Sequence, residues 1–331
     1  MTNLTLLQRV CEQVNIERPT ANLSALTVEQ QQLLRFLDEQ HIELCGKKDW
    51  WFLQRTGDLS LWPYNSGPTA TLVVSSNPKV VTIAAAPFNF AQTLTTNGKL
   101  TLAGATNATD VLRVTSTSTT AANVDSTTSR PAEAVGVAWV YGQDEYAMAT
   151  DCDRVSWVLN WRAGSTSVAH RFLEAISADE MENIRCNRTT YLLAGQPLNY
   201  CVRAHGTTAD HIRRISFDPF PEFASNITYG YFVKPTPLYS GSTLTPELPP
   251  KYEQLLLDKA AAQYYTNLGM GAPAGSPAGQ DLKSRLEETL RDVQEAESQM
   301  MGDQKAAQEL ASMDSSGLTR MFYGEQFGRS I

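Results

Sequence analysis

Residues 215–266 read ISFDPFPEFASNITYGYFVKPTPLYSGSTLTPELPPKYEQLLLDKAAAQYYT, and this stretch decides the fold because it joins strands to a helix. Ile215 and Phe217 alternate with polar neighbours, which predicts a strand, and the two prolines that follow predict its end. Alternation over residues 227–232 predicts a second strand. We therefore expect a β unit that is followed by a helix.

A proline-rich segment, residues 235–250, leads to that helix. Pro249 and Pro250 suit a helix entry, because the first N–H groups of a helix have no partner within it. Apolar residues then recur three or four positions apart, and Gly269 is typical of a helix end. This arrangement is typical of a structural scaffold, and no residue in it looks catalytic.

Two amphipathic helices are predicted before this stretch. The first carries an apolar stripe over residues 6–14 and cannot continue through Pro19. Thr27 and Gln30 form a capping-box pair that opens the second, which we expect to end near Gly46. Trp50 and Trp51 follow it, and core packing is the favoured role for both over ligand stacking.

The composition changes abruptly over residues 65–130, which are rich in Thr, Ser, Ala and Val and poor in charge. Short apolar runs separated by turn signals predict strands. We interpret this segment as a small β barrel or sandwich inserted into the parent domain. A disordered Ser/Thr linker is the alternative, which the apolar alternation disfavours.

A long helix is predicted at the C-terminal end. Ser276 and Pro277 suit its N-cap and first position, and an apolar seam predicts about 24 residues, or roughly 36 Å. A narrow seam suits packing against one neighbour, including a second copy of the chain. Beyond Gly302 the pattern weakens to a polar tail with late aromatic residues, as expected of a segment that docks in a partner's groove.

Together these patterns predict an α+β fold, in which N-terminal and C-terminal helices form a bundle beside a β domain that carries the inserted small all-β barrel or sandwich. The predicted divisions are residues 1–64 with the N-terminal helices and first core strand, 65–130 with the inserted domain, 131–249 with the β-rich part of the core, 250–302 with the C-terminal helices, and 303–331 with an extended tail.

Composition disfavours several classes of function. The 27 basic and 35 acidic residues give a formal net charge of -8, whereas proteins that grip nucleic-acid phosphates are usually basic. No window of the sequence is long and apolar enough to predict a membrane span. Five cysteines without CxxC spacing predict reduced thiols in a protein made in the cytosol.

No motif for catalysis, a metal or a cofactor stands out, so we expect a protein that is not an enzyme. The four histidines are scattered and lack helical metal-pair spacing; they are His41, His170, His205 and His211. An acidic cluster lacks the glycine and final glutamate of an EF-hand loop; it comprises Asp144, Glu145, Asp151 and Asp153. Solvated charges, or an inter-subunit salt bridge through Arg154, are the favoured interpretation.

Several segments in order carry a resemblance to a known family. They are LLQRVCEQVNIERPT at 6–20, QLLRFLDEQHIEL running into DWWFL at 32–53, Gln143 to Tyr146 with Asp153 and Arg154, Gly195-Gln196-Pro197, ISFDPFP at 215–221 with Tyr229 to Phe232, and LPPKYEQLLLDKAAAQYY at 248–265. Over most of residues 4–300 the chain resembles the head-to-tail adaptor (head completion, tail-tubular-A-like) proteins of short-tailed bacteriophages. The matching residues are packing and turn residues, and no single one is diagnostic. The resemblance therefore depends on the order in which the segments occur. The 65–130 insertion departs from minimal members.

The resemblance implies a ring, commonly of twelve copies, between the portal protein and the tail nozzle protein of a virion assembled in the host bacterial cytoplasm. DNA would pass through without sequence-specific binding, and no cofactor is implied. The insertion could contact a tail fibre or tailspike. The portal-docking tail would use Met321, Phe322, Tyr323, Phe327 and Arg329. The interface between ring subunits would use Leu282, Leu286, Leu290, Val293, Asp153 and Arg154.

Two alternatives remain open. One is a nozzle or fibre-attachment tail protein that uses the β insertion as a binding module. The other is a glycan-degrading tail protein that uses the acidic cluster, although we find no extended β-helical repeat. For the adaptor, an acidic channel would repel DNA phosphates and let the genome slide.

Overall fold

A computed structural model of the chain describes residues 1–20, 23–73, 79–83, 98–103, 111–117, 121–124, 133–143, 145–161, 171–189, 191–205, 212–271 and 277–324. Within these residues the fold is mixed α and β, which confirms the predicted α+β class. The chain divides into two compact units. The first combines Met1–Gln54 with Val233–Ile331, and the second is Arg55–Phe232.

The helices of the first unit pack on a common neighbour. The α-helices in the described part of the chain are α1 (Asn3–Gln13), α2 (Val28–Gly46), α3 (Ala178–Cys186), α4 (Glu253–Gly271) and α5 (Pro277–Gly324). All but α3 belong to the first unit, where α4 contacts α1, α2 and α5. Buried Leu256, Ala260 and Ala261 lie on α4, and the two alanines let neighbouring helices approach closely.

Side-chain caps set the starts of the N-terminal helices. The predicted capping box of α2 is present: Thr27 Oγ1 accepts from the Gln30 amide at 3.3 Å, and Gln30 Oε1 accepts from the Thr27 amide at 3.0 Å. Asn3, in the first turn of α1, donates from Nδ2 to the carbonyls of Leu238 at 2.7 Å and Gly241 at 3.0 Å. The proline-rich segment is thereby fastened to α1.

The second unit is built mainly of strands. In chain order they are β1 (Gln54–Leu61), β2 (Asn65–Val73), β3 (Lys79–Ile83), β4 (Gly98–Ala103), β5 (Val111–Thr117), β6 (Ala121–Val124), β7 (Glu133–Gln143), β8 (Glu145–Ala147), β9 (Cys152–Trp161), β10 (Arg171–Phe172), β11 (Glu174–Ala175), β12 (Ala194–Gly195), β13 (Asn199–His205), β14 (Ile212–Asp218), β15 (Phe220–Pro221) and β16 (Ser225–Val233). Two four-stranded sheets, in the orders β1-β16-β9-β10 and β11-β13-β14-β8, accompany the parallel pair β12-β15.

Six strands close on themselves in the order β2-β3-β6-β5-β4-β7. The inserted domain is expected from the sequence to end at residue 130, with the next strand in the core. Instead, β7 pairs with β4 from Gly98↔Gln143 to Ala103↔Ala138 and also with β2, so it completes the barrel. Its nearly continuous apolar run is typical of any buried strand and does not reveal its partners.

A buried ion network fastens α3 to β14. Asp218 is fully buried and accepts two hydrogen bonds from the Arg188 guanidinium, at 2.9 and 2.6 Å. Arg185, also fully buried, donates to the Phe217 carbonyl at 3.0 Å and lies over the ring of Phe220 at 4.7 Å. These charge-assisted bonds hold α3 against the end of β14 and the start of β15.

The C-terminal helix is longer than the sequence predicted. The expected helix ended near residue 301 and was followed by an extended tail from 303, whereas α5 continues to Gly324 over 48 residues. At 1.5 Å per residue this is about 72 Å. Gly302 costs a helix only about 1 kcal/mol relative to alanine, and contacts of the next two residues offset that cost.

Candidate interaction surface

The middle of α5 is its docked portion. Among the α5 residues whose side chains the structure describes, the buried ones are Val293, Met300 and Gln304. With the half-buried Glu297 they are spaced four, three and four residues apart, which places all four on one helix face. This face packs within the first unit, where α5 contacts α4.

Polar contacts secure the end of this docked face. Gln304 accepts from the Trp51 amide at 3.1 Å and donates to the Asp49 carbonyl at 2.8 Å. Asp303 accepts from Lys251 Nζ at 2.6 Å and from the hydroxyl of Tyr252. The hydrogen bond from Lys251 is the main cause that lowers the pKa of Asp303 below its ordinary value. The helix is therefore held on both sides of Gly302.

Glu297 joins three elements. Its Oε1 accepts from Lys259 Nζ at 2.7 Å and from Lys47 Nζ at 2.8 Å. Partial burial raises the pKa of Glu297, but the hydrogen bonds from Lys259 and Lys47 outweigh it and leave that pKa below its ordinary value. The hydrogen bond between Lys47 and Glu297 also raises the pKa of Lys47 above its ordinary value. Glu297 therefore stays ionised and links α5 to α2 and α4.

The preceding part of α5 is mostly exposed. Leu290 is 43% exposed and Leu286 is half-buried, while charged residues cover most of segment 280–292. The residues predicted for the subunit interface therefore have different environments. Val293 is buried against its own chain, whereas Leu286 and Leu290 keep apolar surface available. The side chain of Leu282 lies outside the described residues.

The predicted portal-docking residues lie at the far end of α5. Met321, Phe322 and Tyr323 belong to its last turns rather than to an extended segment, which corrects the conformation expected of this part of the tail. Phe327 and Arg329 lie outside the described residues. Their docking role stays a prediction.

Asp153 and Arg154, the remaining predicted interface pair, lie on β9 of the second unit. Asp153 Oδ1 accepts from Arg213 at 3.4 Å, and the Arg154 guanidinium lies 4.8 Å from the centre of the Phe232 ring. Consecutive strand residues point to opposite faces, so the two side chains cannot contribute to the same surface. Both have contacts within the chain.

The described members of the acidic cluster have different surroundings. Glu145 is buried in β8, Asp151 accepts from the Tyr231 hydroxyl at 3.1 Å, and Asp144 lies outside the described residues. Burial, with that hydrogen bond, raises the pKa of Tyr231 to about 12. Across the ranges that the structure describes, no group of three or more His, Cys, Asp or Glu side chains could hold a metal ion.

The tryptophans and histidines have separate environments. Trp50 is buried and donates from Nε1 to the Leu44 carbonyl at 2.7 Å, as core packing predicts. Trp51 is 42% exposed, which corrects the core role expected of it. His41 is fully buried on α2 with its Nε2 3.4 Å from Glu247. His170 and His211 lie outside the described residues. No local pattern in the sequence indicates that His41 faces a carboxylate from the proline-rich segment.

The chain was compared with known protein families and with curated proteins. No model of a known protein family matches it, and no curated protein matches it significantly. Within the described residues, no helix combines the length and apolarity that crossing a membrane requires.

Proposed function

We propose that the chain is a structural head-to-tail connector of a tailed phage virion, forming a ring between the portal protein and the tail nozzle protein. The observation that carries the proposal is the apolar surface of α5 that is left exposed among its described side chains. Residues 293–304 dock within the chain, while Leu286 and Leu290 keep apolar surface on the preceding segment. Such surface is what a neighbouring subunit would cover in a ring.

The family resemblance supports the same proposal through residues that build the scaffold. Its segments include Ile215, Phe217, Tyr229 and Leu255, all of which are buried. These buried residues hold the β unit and α4 in place. A connector that needs this scaffold would therefore keep the segments in the same order. Ring number, commonly twelve in the family, belongs to the proposal.

The distal part of α5 is the proposed attachment to the portal. It carries Met321, Phe322 and Tyr323, and amphipathic helices bind partners by laying such side chains into grooves. DNA would pass through the ring without sequence-specific binding. A net charge of -8 suits a channel wall that does not hold phosphates.

A second candidate is favoured by the barrel. Strands β2 to β7 form a hydrogen-bonded ring of their own within the second unit, and closure removes the exposed strand edges that lead to aggregation. A module of this kind suits a nozzle or fibre-attachment protein that binds another tail protein through the barrel.

Truncation after Ala306 distinguishes the two candidates. This position is preferable to one before Gln304, because Gln304 belongs to the docked face. Under the connector proposal the truncated protein keeps its fold but loses binding to the purified portal, as measured by electron microscopy of the mixture. Unchanged portal binding would favour the second candidate.

Point variants refine that experiment without shortening the helix. We expect the combined substitution Met321→Ala, Phe322→Ala and Tyr323→Ala to weaken portal binding at least tenfold, because anchor side chains contribute on the order of 1–2 kcal/mol each. Ser315→Ala with Ser316→Ala is the matched control in the same helix and should bind as the unmodified chain does.

A further inference from the structure

The proline-rich segment, residues 235–250, is closed on itself by Glu247. One carboxylate oxygen, Glu247 Oε1, accepts from the Thr236 amide at 3.1 Å, which joins the two ends of the segment. The other oxygen, Oε2, lies 3.4 Å from Nε2 of His41 on α2. A single carboxylate therefore takes part both in closing the segment and in its contact with α2.

Amide groups fasten the proline-rich segment to α1. The Asn3 side chain donates to two of its carbonyls. The backbone amides of Asn3 and Leu4 donate to the carbonyls of Leu244 and Ser242, at 2.8 and 3.3 Å. Amides have no ionisable proton, so a change in pH should leave these hydrogen bonds to α1 intact.

Titratable side chains fasten the proline-rich segment to α2. Asp38, His41 and Cys45 follow one another at intervals of three and four residues and therefore share one face of the helix. Asp38 Oδ1 accepts from the Leu238 amide at 2.7 Å, and His41 faces Glu247. Burial, together with the charge of Glu247, raises the pKa of the Cys45 thiol to about 12. The segment thus covers this face of α2.

His41 is the side chain on this face whose charge changes in mild acid. It is fully buried, and neither ring nitrogen makes a hydrogen bond within the described residues. The charges that face it are those of Asp38, on its own helix, and Glu247, on the proline-rich segment. Burial lowers the pKa of His41 and these charges raise it by less, so the closed segment disfavours the imidazolium. Opening the segment would let water reach the ring and remove that penalty.

We propose that mild acid releases the proline-rich segment from α2, with His41 taking up the proton, while the hydrogen bonds to α1 keep the segment attached and the helices stay folded. Above the ordinary histidine pKa of about 6.5 the ring is neutral whether the segment is closed or open, so the closed form is retained. Below that value the open form binds the proton better, and the population shifts toward it. The segment joins β16 to α4, so its release would loosen that connection. The proposal does not depend on the connector function.

Thiol labelling of the full chain tests the proposal, because three cysteines occupy informative positions. Cys45 lies on the covered face of α2, Cys11 is buried on α1, and Cys186 is exposed in the second unit. A dipyridyl disulfide is the probe, since it reacts with thiols in mild acid, and non-reducing peptide mass spectrometry gives the rate at each cysteine. Dividing by the rate at Cys186 removes the effect of pH on the reagent. Between about pH 7.5 and about pH 5.5 we expect the ratio for Cys45 to rise by up to about tenfold, the most that one proton contributes over this range, and the ratio for Cys11 to stay constant.

Two histidine variants identify the group that takes up the proton. His41→Gln keeps a polar side chain that does not titrate, and it should make the Cys45 ratio independent of pH. His205→Gln is the matched control, because His205 lies on β13 in the second unit, and it should retain the rise.

The unmodified chain decides the matter even where His41→Gln does not fold. A rise at Cys45 without one at Cys11 supports local release. Equal rises at Cys45 and Cys11 would mean that the helices unfold together, and they would overturn the proposal. An unchanged Cys45 ratio, or a rise that persists in folded His41→Gln, would overturn it as well.

Discussion

His41 combines complete burial with two nearby carboxylates, one from its own helix and one from the proline-rich segment. Burial lowers the pKa of His41 below its ordinary value, and the charges of Glu247 and Asp38 raise it by less. The folded chain therefore favours the neutral imidazole. Asp38 is itself engaged, because its Oδ1 accepts from the Leu238 amide at 2.7 Å.

Acidification should destabilise the folded chain through His41. The unfolded chain takes up the proton near the ordinary histidine pKa of about 6.5, whereas the folded chain takes it up only at lower pH, so the free energy of unfolding falls as pH drops below that value. We expect His41→Leu to reduce the fall measured by urea denaturation between about pH 7.5 and about pH 5.5. An identical pH dependence in the variant would show that His41 is not responsible.

Local residue patterns predicted the helix starts well. Thr27 with Gln30 forms the expected capping box. Ser177 Oγ likewise accepts from the Glu180 amide at 3.1 Å at the start of α3. Caps are recognisable because both partners lie within one turn. The carboxylate of Glu247 that faces His41 lies far away in sequence, so no local pattern reveals this pair.

At the scale of an element, α5 is defined by its docked face. Met300 is the most buried side chain described on this helix, and its neighbour Met301 is 40% exposed. Two methionines of equal helix propensity thus occupy opposite environments. This pair makes it possible to separate packing from the intrinsic effect of the substitution.

We predict that Met300→Ala lowers the free energy of unfolding by about 2–5 kcal/mol, the cost of removing a buried side chain and leaving a cavity. Met301→Ala is the control and should change it by less than about 0.5 kcal/mol. Denaturant unfolding followed by circular dichroism measures both. Equal effects of the two substitutions would mean that the docked face of α5 is assigned incorrectly.

The sequence predicts the first part of α5 but not its full length. Val293, Glu297, Met300 and Gln304 share one face, but two of the four are polar, so an apolar seam alone stops near residue 300. Gln304 is buried because Trp51 and Asp49 offer backbone partners, which are 253 and 255 residues away. Likewise, the pairing of β7 with β2 and β4 depends on partners that its own apolar run does not specify.

At the scale of the whole molecule, the chain leaves its first unit at Gln54 and returns to it at Val233. The decisive segment, residues 215–266, contains that return: β16 ends in Val233, and α4 begins at Glu253 within the helical unit. The sequence predicted this crossing because strand and helix periods differ clearly on its two sides. The second unit is thus an insertion between helices, and assembly has to be explained by surfaces that the helices leave exposed.

Leu290 is the residue on which the assembly prediction depends. We expect Leu290→Glu to leave the free energy of unfolding within about 0.5 kcal/mol, because the side chain is already exposed. We also expect it to prevent ring formation on the portal, since a charge buried in an apolar contact without a partner is costly. Leu244→Glu is the matched control: Leu244 is equally exposed, at 43%, and lies outside α5. Counting rings by electron microscopy in mixtures with portal measures the effect, and rings formed equally well by both variants would remove α5 from the subunit interface.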